Sequence, residues 1–371
     1  MMREYINKLF IKSYRGIKDL ELNDLCIINI LTGDNNCGKT SILEVLESYD
    51  NPQNFRTWSE VSRKGNSRVY GMTLYEAFLD LFDIDQNDKF IEYQVTSGDK
   101  VEKVVVKGSI ASEMMTESQY LNEVQNRKSS EPYDENDDNA AETLHEILKL
   151  QLEVLVNNIY KESCSIYDGQ RLLSPFKFRL EHSKNIIYIS PTRHADSELF
   201  LSDILDHSEL YEQMLNVLKE FDENIISINY DSKNNSMMGR GIYKILSKDH
   251  EKALPLNVYG DGMKKAILLM SAVVRAENGI LLLDEFETAI HTSAMDKIFS
   301  WILNTCKELN VQLFLTSHSE EAISKVLKCC PEMQEDIALY TLYKRGVKTM
   351  SRRLMAKEAI EASESMGMEL R

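Results

Sequence analysis

Two hydrophobic patterns alternate along the chain. Short, nearly unbroken apolar runs occur at Cys26-Ile27-Ile28-Asn29-Ile30-Leu31, Ile186-Ile187-Tyr188-Ile189, Ile280-Leu281-Leu282-Leu283 and Val311-Gln312-Leu313-Phe314-Leu315. Such runs predict strands buried on both faces, as in parallel sheets. Between them, residues 40–46, 263–275 and 293–309 carry apolar positions at helical spacing. From Pro255 onward the order helix, strand, helix, strand predicts right-handed βαβ crossovers and a largely parallel sheet.

The N-terminal segment and the middle of the chain read differently. A β-rich run at 9–12 leads to a turn at Tyr14-Arg15-Gly16, and a helix is expected at 74–82. Residues 90–95 and 101–106 alternate around Ser97-Gly98-Asp99, which predicts a hairpin. Leu144, Ile147, Leu148, Leu155 and Ile159 fall on roughly one face of a helix, so a helix is expected there too. Just before it, seven acids and no Lys or Arg between Glu131 and Glu146 predict a solvated acidic loop. No internal repeat is visible. The expected fold class is α/β, a mostly parallel sheet flanked by helices with an antiparallel β lobe and an inserted helical region. Residues 1–65 and 186–371 would form the core and 66–185 the inserted lobe.

Composition narrows the function classes. With 371 residues, 43% of them hydrophobic, the chain can bury a sizeable core. No stretch has the length of a membrane span, and the first residues lack a signal-peptide pattern, so a cytoplasmic location is expected. The six cysteines, Cys26, Cys37, Cys164, Cys306, Cys329 and Cys330, show no C-x-x-C spacing and read as reduced thiols. A net charge of −16 opposes tight, non-specific coating of nucleic acid.

The candidate chemistry begins after the first apolar run. Gly33-Asp34-Asn35-Asn36-Cys37-Gly38-Lys39-Thr40-Ser41 meets the pattern G-x-x-x-x-G-K-[ST] between an expected strand and an expected helix. Backbone N–H groups of such a loop cradle phosphates at a helix N-terminus, Lys39 would neutralise β- and γ-phosphates, and Thr40 would bind Mg²⁺. The apolar run 280–283 ends in Asp284 and Glu285: Asp284 is placed to hold Mg²⁺, Glu285 to orient or deprotonate water. Gly260-Asp261-Gly262, ahead of a helix carrying Lys264 and Lys265, is a second anion site that cannot share the phosphates held by its own P-loop. His318 falls just past a strand's carboxyl end, where open α/β sheets bind ligands. Tyr14 and Arg15 read either as packing or as contacts to adenine or phosphate. The basic run Lys344, Arg345, Lys348, Arg352, Arg353, Lys357 reads as a solvated face or a dock for nucleic acid or an acidic partner.

With these residues in hand, the chain resembles the ATPase module of the OLD (overcoming lysogenization defect) family, within the ABC/SMC/RecF-like P-loop ATPases. The matching pieces are Gly33 to Ser41, Gly260-Asp261-Gly262-Met263, Leu283-Asp284-Glu285-Phe286-Glu287-Thr288-Ala289-Ile290-His291, Thr316-Ser317-His318-Ser319 and the tail 357–362. The resemblance implies an ABC/SMC-like fold and a homodimer sandwiching two ATP molecules with Mg²⁺. Gly260 to Gly262 of one protomer would contact the γ-phosphate on the other's P-loop, with His291 near the interface. It also implies a sensor or regulator subunit of antiphage defence working with a separately encoded, nuclease-like effector. A RecF/SMC-like repair ATPase and an ATP-gated scaffold with negligible turnover stay open. An intrinsic nuclease is disfavoured, because too few residues follow His318 for the added domain. A transporter subunit is disfavoured by Phe286, where transporters favour proline.

Overall fold

The computed structural model describes residues 5–62, 72–124, 144–170, 184–191, 200–231, 242–288 and 290–370. In chain order the first elements are β1 (Ile6–Tyr14), β2 (Ile17–Asn23), β3 (Ile28–Gly33), α1 (Lys39–Ser48), α2 (Phe55–Ser62) and α3 (Leu74–Leu79). Then come β4 (Lys89–Ser97), β5 (Lys100–Thr116), α4 (Glu117–Glu123), β6 (Leu144–Val156), β7 (Ile159–Tyr167), β8 (Ile186–Ile189), α5 (Leu201–Leu205), α6 (Ser208–Leu218), β9 (Ile225–Asp231), β10 (Ile242–Ser247) and β11 (Leu254–Pro255). The last stretch holds α7 (Asp261–Arg275), β12 (Ile280–Leu283), α8 (Thr292–Glu308), β13 (Gln312–Thr316), α9 (Glu320–Lys328), β14 (Ile337–Arg345), β15 (Lys348–Met355) and α10 (Ala356–Met366).

The apolar runs become a six-stranded sheet in the order β15-β14-β3-β13-β12-β8. Its strands pair in parallel except for β15, which is antiparallel to β14. The runs are apolar throughout because successive side chains enter two different cores. Ile28, Ile30, Leu281, Leu283, Leu313 and Leu315 pack on one face with the helices α6 to α9. Leu31, Ile280, Leu282, Phe314 and Ala338 pack on the other with α1, α2 and a second sheet.

That second sheet is antiparallel, in the order β2-β1-β4-β5-β6-β7, so β1 and β2 join the hairpin strands that come later in the chain. A small third sheet runs β11-β10-β9. The expected α/β class, with a mostly parallel sheet, flanking helices and an antiparallel lobe, is the fold observed. The helix expected around 144–159 is corrected: residues 144–156 form β6, paired along its whole length with β5. The deciding pattern is the alternation of buried Leu150, Leu152 and Val154 with exposed Gln151 and Glu153, a period of two that outweighs the looser helical spacing of its neighbours. Most of the acidic loop, residues 131–143, lies outside the described residues, and Leu144, His145 and Glu146 begin β6.

The alternation gives a direct check. Replacing the fully buried Leu152 by Ala should cost about 2–5 kcal/mol, the range for truncating a core leucine. Glu153→Ala, one residue along on the exposed face, should stay within about 0.5 kcal/mol of the parent. Chemical denaturation of the two variants measures the difference, and equal losses would contradict the strand.

Candidate functional site

Strand β3 delivers the chain into the glycine-rich loop, and sterics fix the loop's shape. Gly33 has φ +127°, and a Cβ there would lie 2.2 Å from the Leu342 carbonyl oxygen of β14. Gly38, at φ +103°, forms the N-cap of α1, and a Cβ there would strike the Ile17 side chain at 2.8 Å. Asn36 also takes a positive φ, a conformation that Asn tolerates better than most residues. No side chain caps α1, and its first turn holds no acid, so its N–H groups and positive dipole end face the loop. The buried Lys39 ammonium donates to the carbonyls of Gly33 (2.7 Å) and Asp34 (3.0 Å).

Behind the loop, three hydroxyls converge on one carboxylate. Asp284, only 4% exposed, accepts from Thr40 Oγ1 at 3.1 Å, Tyr188 OH at 2.9 Å and Thr316 Oγ1 at 2.6 Å. Burial, and then the Asp284 charge, push the Tyr188 phenol well above its ordinary pKa, so it remains a donor near neutral pH. Thr316 Oγ1 also accepts the Glu285 backbone N–H at 2.8 Å. Glu285 itself has φ +44°, and its half-exposed carboxylate lies 3.8 Å from His318 Nε2. Next to it, Glu287 Oε1 accepts from Ser317 Oγ at 2.9 Å and from the His318 N–H at 3.1 Å, tying the acidic segment to the segment that carries His318.

A cavity of about 570 Å³ opens between these parts, lined by Gly16, Ile17, Asn35, Asn36, Gly38, Lys39, Thr40, Ser41, Glu285, His318 and Lys344. The structure thus brings Asn35, Asn36, Gly38, Lys39, Thr40, Ser41, Glu285 and His318 into one site. Gly33, Asp34 and Cys37 shape the loop, and Asp284 stands behind Thr40. Gly260, Asp261 and Gly262 are not among the lining residues; they start α7, where no side chain caps the helix and Asp261 pairs with Lys264 at 2.6 Å.

Tyr14 and Arg15 take the packing option. Both bind the buried Glu44 of α1, through Tyr14 OH at 3.0 Å and Arg15 Nε at 2.8 Å, which fixes the β1–β2 turn against the P-loop helix. His291 caps α8, accepting from the Ser293 N–H. The basic run is divided. Lys344 lines the cavity, Lys348 pairs with Asp19 at 3.1 Å and Arg353 binds the Asp24 carbonyl, and every residue of the run except Arg353 is exposed.

Sequence reasoning missed Tyr188, read Lys344 only as part of a basic run and not as lining the cavity, and gave Thr316 and Glu287 no separate role. Tyr188 stood in a quoted strand, and only the register of β8 against β12, with Leu283 opposite Ile189, reveals that it reaches Asp284. Among the described residues no three His, Cys, Asp or Glu side chains form a metal cluster. The oxygen donors of Thr40 and Asp284 still suit Mg²⁺, which is commonly held by one or two protein oxygens together with phosphate and water.

The chain is 26% identical over 342 residues to an ATP/GTP phosphatase of Helicobacter pylori, with 86% of each protein covered. Among solved structures it matches an SMC head bound to the C-terminal winged-helix domain of ScpA, with a TM-score of 0.51, 11% identity and coverage of 96% of this chain and 99% of that one. It also matches the recombination mediator protein RecF, with a TM-score of 0.42, 12% identity and coverage of 95% and 100%. The likeness to the SMC head, at a TM-score of 0.51, shows the fold to be that of the ABC/SMC-type P-loop heads. The model of the family AAA_21, described as "AAA domain, putative AbiEii toxin, Type IV TA system", matches residues 28–324, from β3 through the P-loop and Asp284 to α9, and the chain belongs to that family.

Proposed function

We propose that this chain is an ATPase that binds ATP and Mg²⁺ at the P-loop cavity, acts as a homodimer with nucleotide between the protomers, and passes its state to a separately encoded effector protein. The observation that carries the reading is the convergence of Lys39, Thr40, Glu285 and His318 on one cavity, with Asp284 hydrogen-bonded behind Thr40, from three elements that the sheet holds in register. Membership of an AAA family and the likeness to a phosphatase of ATP and GTP support the same reading.

Each side chain has a task in this scheme. The loop N–H groups and Lys39 hold the polyphosphate, and the metal would neutralise charge developing on the β- and γ-phosphates beside Thr40 and Asp284. Glu285 takes the proton of the attacking water as the bond to the γ-phosphorus forms and the bond to the ADP oxygen breaks. His318, beside Glu285, orients that carboxylate and the γ-phosphate. No side chain caps the start of α7, a helix end that favours anions, and its place outside the lining of its own chain's cavity favours use on a partner's nucleotide.

The effector is inferred from the resemblance to ATPases that work with a separate, nuclease-like protein. Among the described residues there is no carboxylate cluster of the kind that holds nuclease metals. The charge of −16 opposes a broad grip on nucleic acid. A family description that names a toxin–antitoxin system supports a two-component arrangement, and defence against phage is the setting we favour.

Three outcomes are expected. Glu285→Gln should keep ATP affinity while turnover falls by about 10²–10⁴ and nucleotide-bound dimers accumulate; unchanged steady-state hydrolysis would place the base elsewhere. Mixing inactive Lys39→Ala protein with inactive Gly262→Arg protein should restore ATPase activity, because a heterodimer regains one site built from both chains. No recovery under subunit exchange would end the sandwich scheme. The purified chain alone should leave DNA and RNA intact, with cleavage appearing only when a co-purifying partner is added back. Metal-dependent cleavage by the chain itself, abolished by a point mutation in it, would contradict the division of labour.

A further inference from the structure

Lys344, read from the sequence only as part of a basic run, stands beside the P-loop. β14 pairs in parallel with β3, with Leu342 opposite Gly33, so Lys344, two residues on and on the same face, passes the end of β3 beside the P-loop. Its ammonium donates to the Gly16 carbonyl and to Thr349 Oγ1 at 2.9 Å, two of the three donors a lysine has. It lines the same cavity as Lys39. The charges around it are Lys18 and the buried Asp83, which pair with each other at 2.6 Å.

The strand order gives this lysine a side. β14 flanks β3 on one edge, while β13 and β12, which carry His318 and Glu285 at their carboxyl ends, flank it on the other. A polyphosphate lying along the loop with its γ end toward Glu285 therefore has its α end toward β14. Lys344 is exposed overall, yet partial desolvation of its ammonium lowers its pKa, with Lys18 adding to the fall and Asp83 opposing it. An ammonium so placed gains from an anion that replaces lost solvent.

We propose that Lys344 is a second polyphosphate ligand, gripping the nucleotide at its α-phosphate on the flank away from Glu285 and His318. The proposal rests on the reading of this cavity as a nucleotide site. Because ATP and ADP share the α-phosphate, the contact is made equally before and after hydrolysis and works as uniform binding, which is felt in KM rather than kcat.

Calorimetry with ADP and with ATP on the full chain, alongside steady-state kinetics, tests this. Lys344→Gln, close to lysine in length but uncharged, should weaken both nucleotides by roughly 10- to 100-fold, the range for losing a charge-assisted hydrogen bond. The loss should fall on KM, and Lys344→Arg should recover most of it. Adenosine, which lacks phosphate, should bind the parent and the Gln variant alike. Wild-type affinity for ADP in Lys344→Gln would overturn the proposal. So would failure of Arg to rescue, which would mark a merely structural bond to the β1–β2 turn, or an equal loss for adenosine, which would mark a base contact. A parent protein that binds neither nucleotide would instead refute the nucleotide reading itself.

Discussion

The Asp284 carboxylate is the constraint on which the site depends. A carboxylate this deeply buried needs donors, and here they come from α1, β8 and β13 at once. Those donors reach it only if the three strands end level. They do: Leu283 lies opposite both Leu315 and Ile189, and the Asp284 N–H donates to the Ile189 carbonyl at 3.0 Å. One acidic side chain therefore fixes the height of the P-loop helix above the sheet, and with it the distance from Thr40 to Glu285 and His318.

The two sheets are held together by similar means. Gln312 of β13, fully buried, exchanges hydrogen bonds with the backbone of Ile6 at the start of β1, at 2.9 and 2.7 Å. Tyr340 of β14 reaches the carbonyls of Asn23 and Asp24 at the end of β2. Glu44 of α1 takes Tyr14 and Arg15 from the turn between β1 and β2. Each link satisfies a polar group that burial would otherwise leave costly. Together they couple the antiparallel lobe to the floor of the cavity.

What the sequence made legible was what is encoded locally. The apolar runs, the glycine loop and the acid pair are short patterns, and each fell on the expected element because its neighbours in the chain decide it. The stretch 144–156 misled because Leu144, Ile147, Leu148 and Leu155 imitate a helix, while pairing with β5, a non-local event, decides in favour of a strand. The contacts of Tyr188 and Lys344 at the site escaped for the same reason. Their partners stand 96 and 328 residues away, so the order of strands had to be known first.

Gly33 joins two roles that are usually discussed apart. Its missing side chain lets the backbone of β14 come close, with the Leu342 oxygen occupying the space a Cβ would fill. That contact belongs to the sheet, whatever the loop binds. A library selected only for correct folding, with no nucleotide present, would therefore still return glycine at this position, so glycine here is evidence of an architecture before it is evidence of a ligand. In distant relatives that have lost catalysis, the first glycine of the loop would be expected to outlast its lysine.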